Sequence, residues 1–455
     1  MQLNQQHDEP ALKRRLKSWL DVYSDTVPAG STILLAVSGG SDSLALLRLM
    51  SALAPCSALT LYVATVDHAL RPEAAEEARR VGAICSDLDL PHTVLRLEWP
   101  EAASVSQADA RSARYRVLCE HARKMGASCI ATGHTLDDQL ETVFMRLRAG
   151  TYGVGLAGMA EVSSVPSWPH GRGLKLVRPF LTSERAELRA YLTLLNQAWV
   201  DDPSNELDKF ERIRTRRLLA GRGRLKSYLL GLSSQTAESR AEQDAVLKVW
   251  AGNHLAWGHA NSVSFREDAL QSLPVTARPR LLSLLLTCVS GKPLLPRTDR
   301  VMKLLAMRQP VKTTLHGCFI ARDESSWLIA PEPAPAQGQE HVRFDEKATS
   351  VWQGRSEVIA SPDVETRLGH WAEKQVPDRL REKALPEFEI RRVMPVWEDG
   401  DGRVMTVPEL EESSSIKVNN LGESRFHAFV TGKAEFFTRE SRLRESFSGP
   451  TSPML

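Results

Sequence analysis

Patterned cysteine is missing from this chain. Its six cysteines, Cys56, Cys85, Cys119, Cys129, Cys288 and Cys318, include no C-x-x-C pair and no metal-ligand spacing, so most read as small core residues. No charge of either sign dominates. The formal net charge is +2, and any affinity for nucleic acid must come from local patches. The polar, acid-containing start over residues 1–10 has no signal-peptide core. The longest apolar stretch, residues 281–289, is far too short to span a bilayer. A cytoplasmic enzyme with no membrane partner is the expectation. The lysine of the Walker loop G-x-x-x-x-G-K-[ST] is lacking as well, which argues against a GTPase-style grip on β- and γ-phosphates.

What is present begins with a phosphate-binding turn. Residues 33–37 are apolar and run into Ser38-Gly39-Gly40-Ser41-Asp42-Ser43, after which a helix pattern restarts at once. Adjacent glycines let backbone N–H groups approach an anion. Ser38, Ser41 and Ser43 add hydroxyl donors, and a helix starting near Ser43 aims its positive dipole end at the site. Asp42 would repel bare phosphate, so it implies a bridging Mg²⁺, a hard cation held by one or two carboxylates plus phosphate oxygens. The segment resembles the S-G-G-x-D-S loop of the N-type ATP pyrophosphatases. That resemblance implies ATP as substrate, cleaved between the α and β phosphates, with release of pyrophosphate.

At 455 residues and 50.5 kDa, two or three domains are expected. Residues 11–23 read as an amphipathic helix. Apolar runs at 60–66, 92–97, 128–132 and 174–177 then alternate with helical patterns at 43–53, 73–89, 107–126, 137–148 and 183–196. This is the signature of an α/β fold with a doubly wound parallel sheet, which the resemblance makes adenine nucleotide α-hydrolase-like. Ligands in such sheets sit beyond the strands' carboxyl ends, where the 38–43 turn, Asp67-His68 and Gly133-His134 all fall. The expected organisation is a catalytic domain over 1–220, a mostly helical domain over 221–330 and a Pro-rich linker over 331–341. A small α+β domain follows over 342–455. Within these, 313–330 alternates like a strand pair, and β-like stretches lie at 342–344, 351–355, 388–393 and 404–407.

A second chemical cluster follows Gly133. His134, Asp137, Asp138 and Glu141 are spaced i, i+3, i+4 and i+7, the spacing of one helical face. Carboxylates crowded on one turn repel each other unless a cation or a substrate ammonium sits among them. The run G-H-x-x-D-D-Q-x-E-T resembles the second signature of the tRNA(Ile)-lysidine synthases. So do residues 66–73, Gln107-Ala108 with Ala110-Arg111 and Arg114-Tyr115, residues 155–159, Arg178-Pro179-Phe180 and Asp202-Pro203-Ser204-Asn205, in the family's order over about residues 30–220.

The resemblance implies ligation of free L-lysine to C2 of the wobble cytidine of tRNA(Ile) with a CAU anticodon. An adenylated cytidine forms first, with loss of pyrophosphate, and AMP then leaves. Asp42 would hold Mg²⁺, and Ser38, Gly39, Gly40, Ser41 and Ser43 would cradle pyrophosphate. The Ala36 backbone, Asp67 and His68 would lie near adenosine. Asp137, Asp138 and Glu141 are candidates for lysine or metal binding, with His134 beside them for proton transfer. Arg111, Arg114 and Tyr115 could grip phosphate and stack on a base. Arg212, Arg214 and Arg216 belong to a basic stripe over 209–226 suited to RNA backbone, and the resemblance implies tRNA binding by the helical domain over 221–330 and tRNA recognition by the domain over 342–455. Relatives more often show R-G-S-G where this chain has Ala149 to Tyr152, and Ile213 stands where asparagine is common. A homodimer is a candidate assembly. Three readings compete with a lysidine synthase: a tRNA thiolase of the same superfamily, a glutamine-dependent amidotransferase and a non-catalytic ATP-sensing RNA-binding module.

Overall fold

The computed structural model describes residues 11–70, 73–99, 105–151, 153–200, 210–332, 349–360, 367–371, 387–398, 404–410 and 416–431. Its N-terminal part is a six-stranded sheet in the order β3-β2-β1-β4-β6-β5, with β1 Thr32–Ala36, β2 Thr60–Asp67, β3 His92–Arg96, β4 Cys129–Thr132, β5 Val162–Ser164 and β6 Lys175–Val177. Strands β1, β2, β3, β4 and β6 are parallel, as expected. The edge strand β5 is antiparallel to β6, an addition to the parallel sheet read from the sequence. It is only three residues long and carries no alternation to announce it.

Both faces of the sheet are covered. Along β1, Ile33 and Leu35 enter the core shared with α1 (Ala11–Val22), α2 (Ser41–Leu53), α3 (Glu73–Asp87) and α6 (Arg185–Leu194). Leu34 and Ala36 point the other way, into the core under α4 (Gln107–Lys124). A strand buried on both faces reads as a continuous apolar run, which is why residues 33–37 stand out. Helix α2 begins at Ser41, two residues earlier than the sequence suggests.

After α5 (Leu136–Arg148), α7 (Phe210–Leu219) and α8 (Gly223–His254) pack back on the catalytic unit. Leu140, Val143, Leu219 and Leu229 form one buried cluster across the 220/221 border. A five-stranded antiparallel sheet follows, in the order β7-β8-β11-β10-β9: β7 Ala256–Trp257, β8 Val263–Arg266, β9 Val311–Leu315, β10 Cys318–Arg322 and β11 Ser326–Pro331. The strand pair expected over 313–330 is therefore three strands, because His316 (φ 59°) and Gly317 (φ 78°) make an extra turn. Pro331, expected to open a linker, is the last residue of β11; residues 333–348 lie outside the described residues.

Two three-stranded sheets complete the molecule. One joins β12 Thr349–Trp352, β13 Ser356–Ala360 and β17 Ile416–Asn420; the other joins β14 Arg367–His370, β15 Pro395–Glu398 and β16 Val404–Thr406. The 388–393 stretch is not a strand. Phe388–Arg391 forms a helical turn in which the Glu387 carbonyl accepts from Ile390 and Arg391, and the strand starts later, at Pro395. Among the described residues no helix is long and apolar enough to cross a membrane.

Candidate active site

Strand β1 has β2 on one side and β4 on the other, and the chain leaves β1 at that reversal point. Open sheets of this kind take their ligands at that point, beyond the strands' carboxyl ends. The turn after β1 is built by its own serines. Ser43 Oγ accepts from the Ser38 amide at 3.1 Å, lies 3.3 Å from Ser38 Oγ, and donates to the Gly40 carbonyl at 3.0 Å. Gly39 has φ +85°, a conformation open to glycine and strained for other residues. These bonds hold the turn in shape and leave the start of α2 at that end of the sheet.

Gly133, in the turn after β4, shows how closely the two loops meet. A Cβ there would lie 2.6 Å from the Asp42 carbonyl oxygen, so only glycine lets the acidic segment approach the start of α2. His134 precedes the helix. Thr135 caps α5, so the imidazole is not on the helical face that its spacing suggested; its Nδ1 lies 2.8 Å from Thr132 Oγ1. Burial, the Arg178 charge and the more distant Arg114 and Arg111 hold this imidazole well below its ordinary value against the pull of Asp138, so it is neutral at neutral pH.

The acids are held by arginine. Asp138 completes the α5 capping box, accepting from the Thr135 amide at 2.9 Å and its hydroxyl at 2.8 Å. Arg185 Nε donates to Asp42 Oδ2 at 2.7 Å, its Nη2 donates to Asp138 Oδ1 at 3.0 Å, and its backbone N–H donates to Asp137 Oδ2 at 2.8 Å. Burial raises the Asp42 carboxyl despite the guanidinium beside it. Burial opposes ionisation of Asp138 too, but Arg185 and the Thr135 bonds outweigh it and hold this carboxyl below the usual range. Glu141, almost fully buried, accepts from Arg216 Nε at 2.8 Å, with Nη2 of the same guanidinium also 2.8 Å away, and burial raises its carboxyl.

Arg185 thus ties together Asp42, Asp138 and, through its backbone, Asp137, and the Glu141–Arg216 pair lies near enough for the Asp138 and Arg185 charges to act on Glu141. Arg216, expected on RNA, is half exposed and paired with Glu141. Asp67 extends past the end of β1 beside the glycine turn, but its Oδ1 accepts from its own Ala69 amide at 2.8 Å. The His68 carbonyl accepts from Trp99 Nε1 at 2.7 Å. Arg111 is exposed and Arg114 half-buried near His134. Tyr115 corrects the sequence reading: it faces the core with Leu118, Cys119 and Ala122, is 2% exposed, and has Arg111 over its ring, so it offers no face to a base. Arg214 is exposed on α7; the Arg212 side chain, Tyr152 and residues 201–209 lie outside the described residues.

Sequence reasoning missed Arg185. Its signal is a cation in the first turn of a helix, where the dipole disfavours it and nearby acids must compensate. Gln139 and Arg146 were also passed over. Gln139 exchanges two bonds with Met159, and Arg146 donates to the Gly155 and Gly158 carbonyls, so the 155–159 motif is strapped onto α5.

The donor set suits Mg²⁺. Asp42 and Asp138 offer hard oxygens around a position already bridged by a cation. Both carboxylates reach the same guanidinium, Asp42 at 2.7 Å and Asp138 at 3.0 Å. Beside these acids lie two cavities, the larger between α5, the start of α6 and α8 and the smaller between α5, α7 and α8. One of about 220 Å³ is lined by Asp137, Leu140, Glu184 and Lys226, and one of about 130 Å³ by Asp137, Glu141, Arg216 and Lys226.

The family model of the PP-loop domain matches residues 9–222. A tRNA(Ile)-lysidine synthase of Hyphomonas neptunium is 34% identical over 338 residues, covering 73% of this chain and 90% of that protein. One of Methylobacterium nodulans is 36% identical over 345 residues, covering 73% and 98%. A solved U34-tRNA thiolase of Methanococcus maripaludis overlays at TM-score 0.42 and 16% identity, over 50% of this chain and 78% of that one. Sharing that identity across nearly the whole length of both synthases, and carrying the glycine turn and acidic helix side by side, the chain belongs to the tRNA(Ile)-lysidine synthase family of PP-loop enzymes.

Proposed function

We propose that the protein joins free L-lysine to C2 of the wobble cytidine of a CAU-anticodon tRNA(Ile), using ATP. The observation that carries this reading is the convergence of the 38–43 turn and the Asp137 and Asp138 carboxylates through Gly133 and Arg185. Cytosine O2 attacks the α-phosphorus, pyrophosphate leaves, and the new phosphate ester turns O2 into a leaving group. The lysine side-chain amine then displaces AMP from C2. Asp42, with Asp138 in reach, would hold Mg²⁺, which would supply charge neutralisation at the phosphates. The N–H groups and hydroxyls of 38–43 orient the departing pyrophosphate.

For lysine, the two cavities beside α5 offer acids to its ammonium groups, Asp137, Glu141 and Glu184, and offer Arg216 and Lys226 to its carboxylate. His134, with its Nδ1 2.8 Å from Thr132 Oγ1, would take a proton from the attacking amine. Arg111, Arg114 and the exposed Arg214, Arg217, Arg222 and Arg224 supply a basic approach for RNA. A thiolase reading needs a reactive thiol. Every cysteine but Cys56 is buried, and burial pushes the Cys129 thiol up to about 12. Cytoplasmic location follows from the tRNA substrate.

Release of pyrophosphate tests this. It should require the tRNA, and AMP release should require both tRNA and lysine. Cleavage of ATP without RNA, or none under any combination, would contradict the reading.

A further inference from the structure

Arg185 holds an unusual position. It is the first residue of α6, where a helix repels cations, yet its side chain is only 17% exposed and its guanidinium is divided between two carboxylates, each 21% exposed. These are the carboxylates suited to a magnesium ion. The same two acids cannot hold the guanidinium and a divalent ion together without setting two cations against each other. Without any cation, the two acids would face one another across the Gly133 contact with no compensation.

We propose that Arg185 is the resident cation of the metal site. It holds Asp42 and Asp138 in place in the nucleotide-free enzyme, then yields them to Mg²⁺ and passes its guanidinium to the phosphate oxygens over the 38–43 turn. Helix α6 already reaches that turn from the same side, since Arg189 Nε donates to Ser41 Oγ at 3.3 Å. An arginine suits both stations because its planar fork bridges paired carboxylates and also binds phosphate in a bidentate manner. Arg185 is on this account a positioning residue before ATP binds and a phosphate ligand afterwards. The inference rests on the reading of Asp42 as the metal-binding acid.

The test is calorimetric titration of the full chain with Mg²⁺ alone, in the absence of nucleotide, paired with melting curves. Arg185→Ala should bind Mg²⁺ about tenfold more tightly than wild type, within the usual range of site-to-site coupling. It should melt lower without the metal and recover with it, while its affinity for ATP with Mg²⁺ falls. Arg185→Lys keeps one charge but cannot bridge both acids, so its Mg²⁺ affinity should lie between the two; this variant decides the matter if the alanine form does not fold. Unchanged or weaker Mg²⁺ binding in the folded variants would overturn the exchange. Asp42→Asn separates the underlying reading: loss of Mg²⁺-dependent ATP binding supports it, and retention would remove the metal site itself.

Discussion

Asp42 and His134 show how single side chains here trade stability for chemistry. Burial raises the Asp42 carboxyl, so keeping it ionised costs folding free energy above the ordinary carboxylate range. Asp42→Asn removes that cost and can still accept from Arg185. The expected outcome is a melting temperature equal to or above wild type at pH 7, with pyrophosphate release reduced to background. For His134 the sign is opposite. Its folded value lies below the ordinary 6.5, so protonation favours the unfolded chain, and its share of stability is present above 6.5 and lost as pH falls below it. Denaturant unfolding at pH 7 and pH 5.5 should show His134→Gln losing about 1 kcal/mol less than wild type on acidification. The serines, glycines and acids of this site were legible because they are contiguous in sequence. Arg185 was not, because it is 143 residues from Asp42 and no local spacing links the two.

Between elements, the meeting of the β4–α5 turn with the start of α2 determines whether the site forms. Gly133→Ala would drive a methyl group into the Asp42 carbonyl, backbone that cannot turn aside. The expected cost is about 1–3 kcal/mol by denaturant unfolding, with larger loss of pyrophosphate release than of stability. The sheet and its flanking helices were readable from period alone, since β1 is apolar on both faces and α1 buries Leu12, Leu16, Trp19 and Leu20 on one stripe. Tertiary context decided the rest. Strand β5 exists because β6 has a free edge and Arg178 ties the segment down, donating to the Ala160 carbonyl and Ser163 Oγ. The Phe388–Arg391 turn carries the alternation of a strand and is helical all the same. Tyr115 has the composition of a stacking residue, but its position on α4 repeats with Leu118 and Ala122 and points inward.

Among the described residues, the catalytic sheet and the C-terminal sheet are keyed together at a junction around Trp168. The segment between β5 and β6 supplies Trp168, whose Nε1 donates to the Gly354 carbonyl at 2.6 Å, and Arg172, which pairs with Glu357 at 2.5 Å. Arg425 lies 4.2 Å over the Trp168 ring and donates to the Thr287 and Lys292 carbonyls, while Phe426 and Val430 of the same helix enter the core of the five-stranded sheet. With 342–455 as the tRNA-recognition domain that the resemblance implies, loosening this junction by Trp168→Ala should raise the KM for tRNA several-fold while ATP affinity stays at the wild-type value, measured by steady-state kinetics and direct nucleotide titration. Such junctions leave no sequence signature: their partners are 186 and 185 residues apart, and composition alone placed borders at 220 and 331 across packed clusters. The most direct test of the account follows the product. Incubated with labelled lysine, ATP, Mg²⁺ and a CAU-anticodon transcript, the protein should place the label on the wobble cytidine, seen as a lysine-bearing nucleoside after digestion. Label that stays free while ATP is consumed, or that appears elsewhere in the RNA, would contradict it.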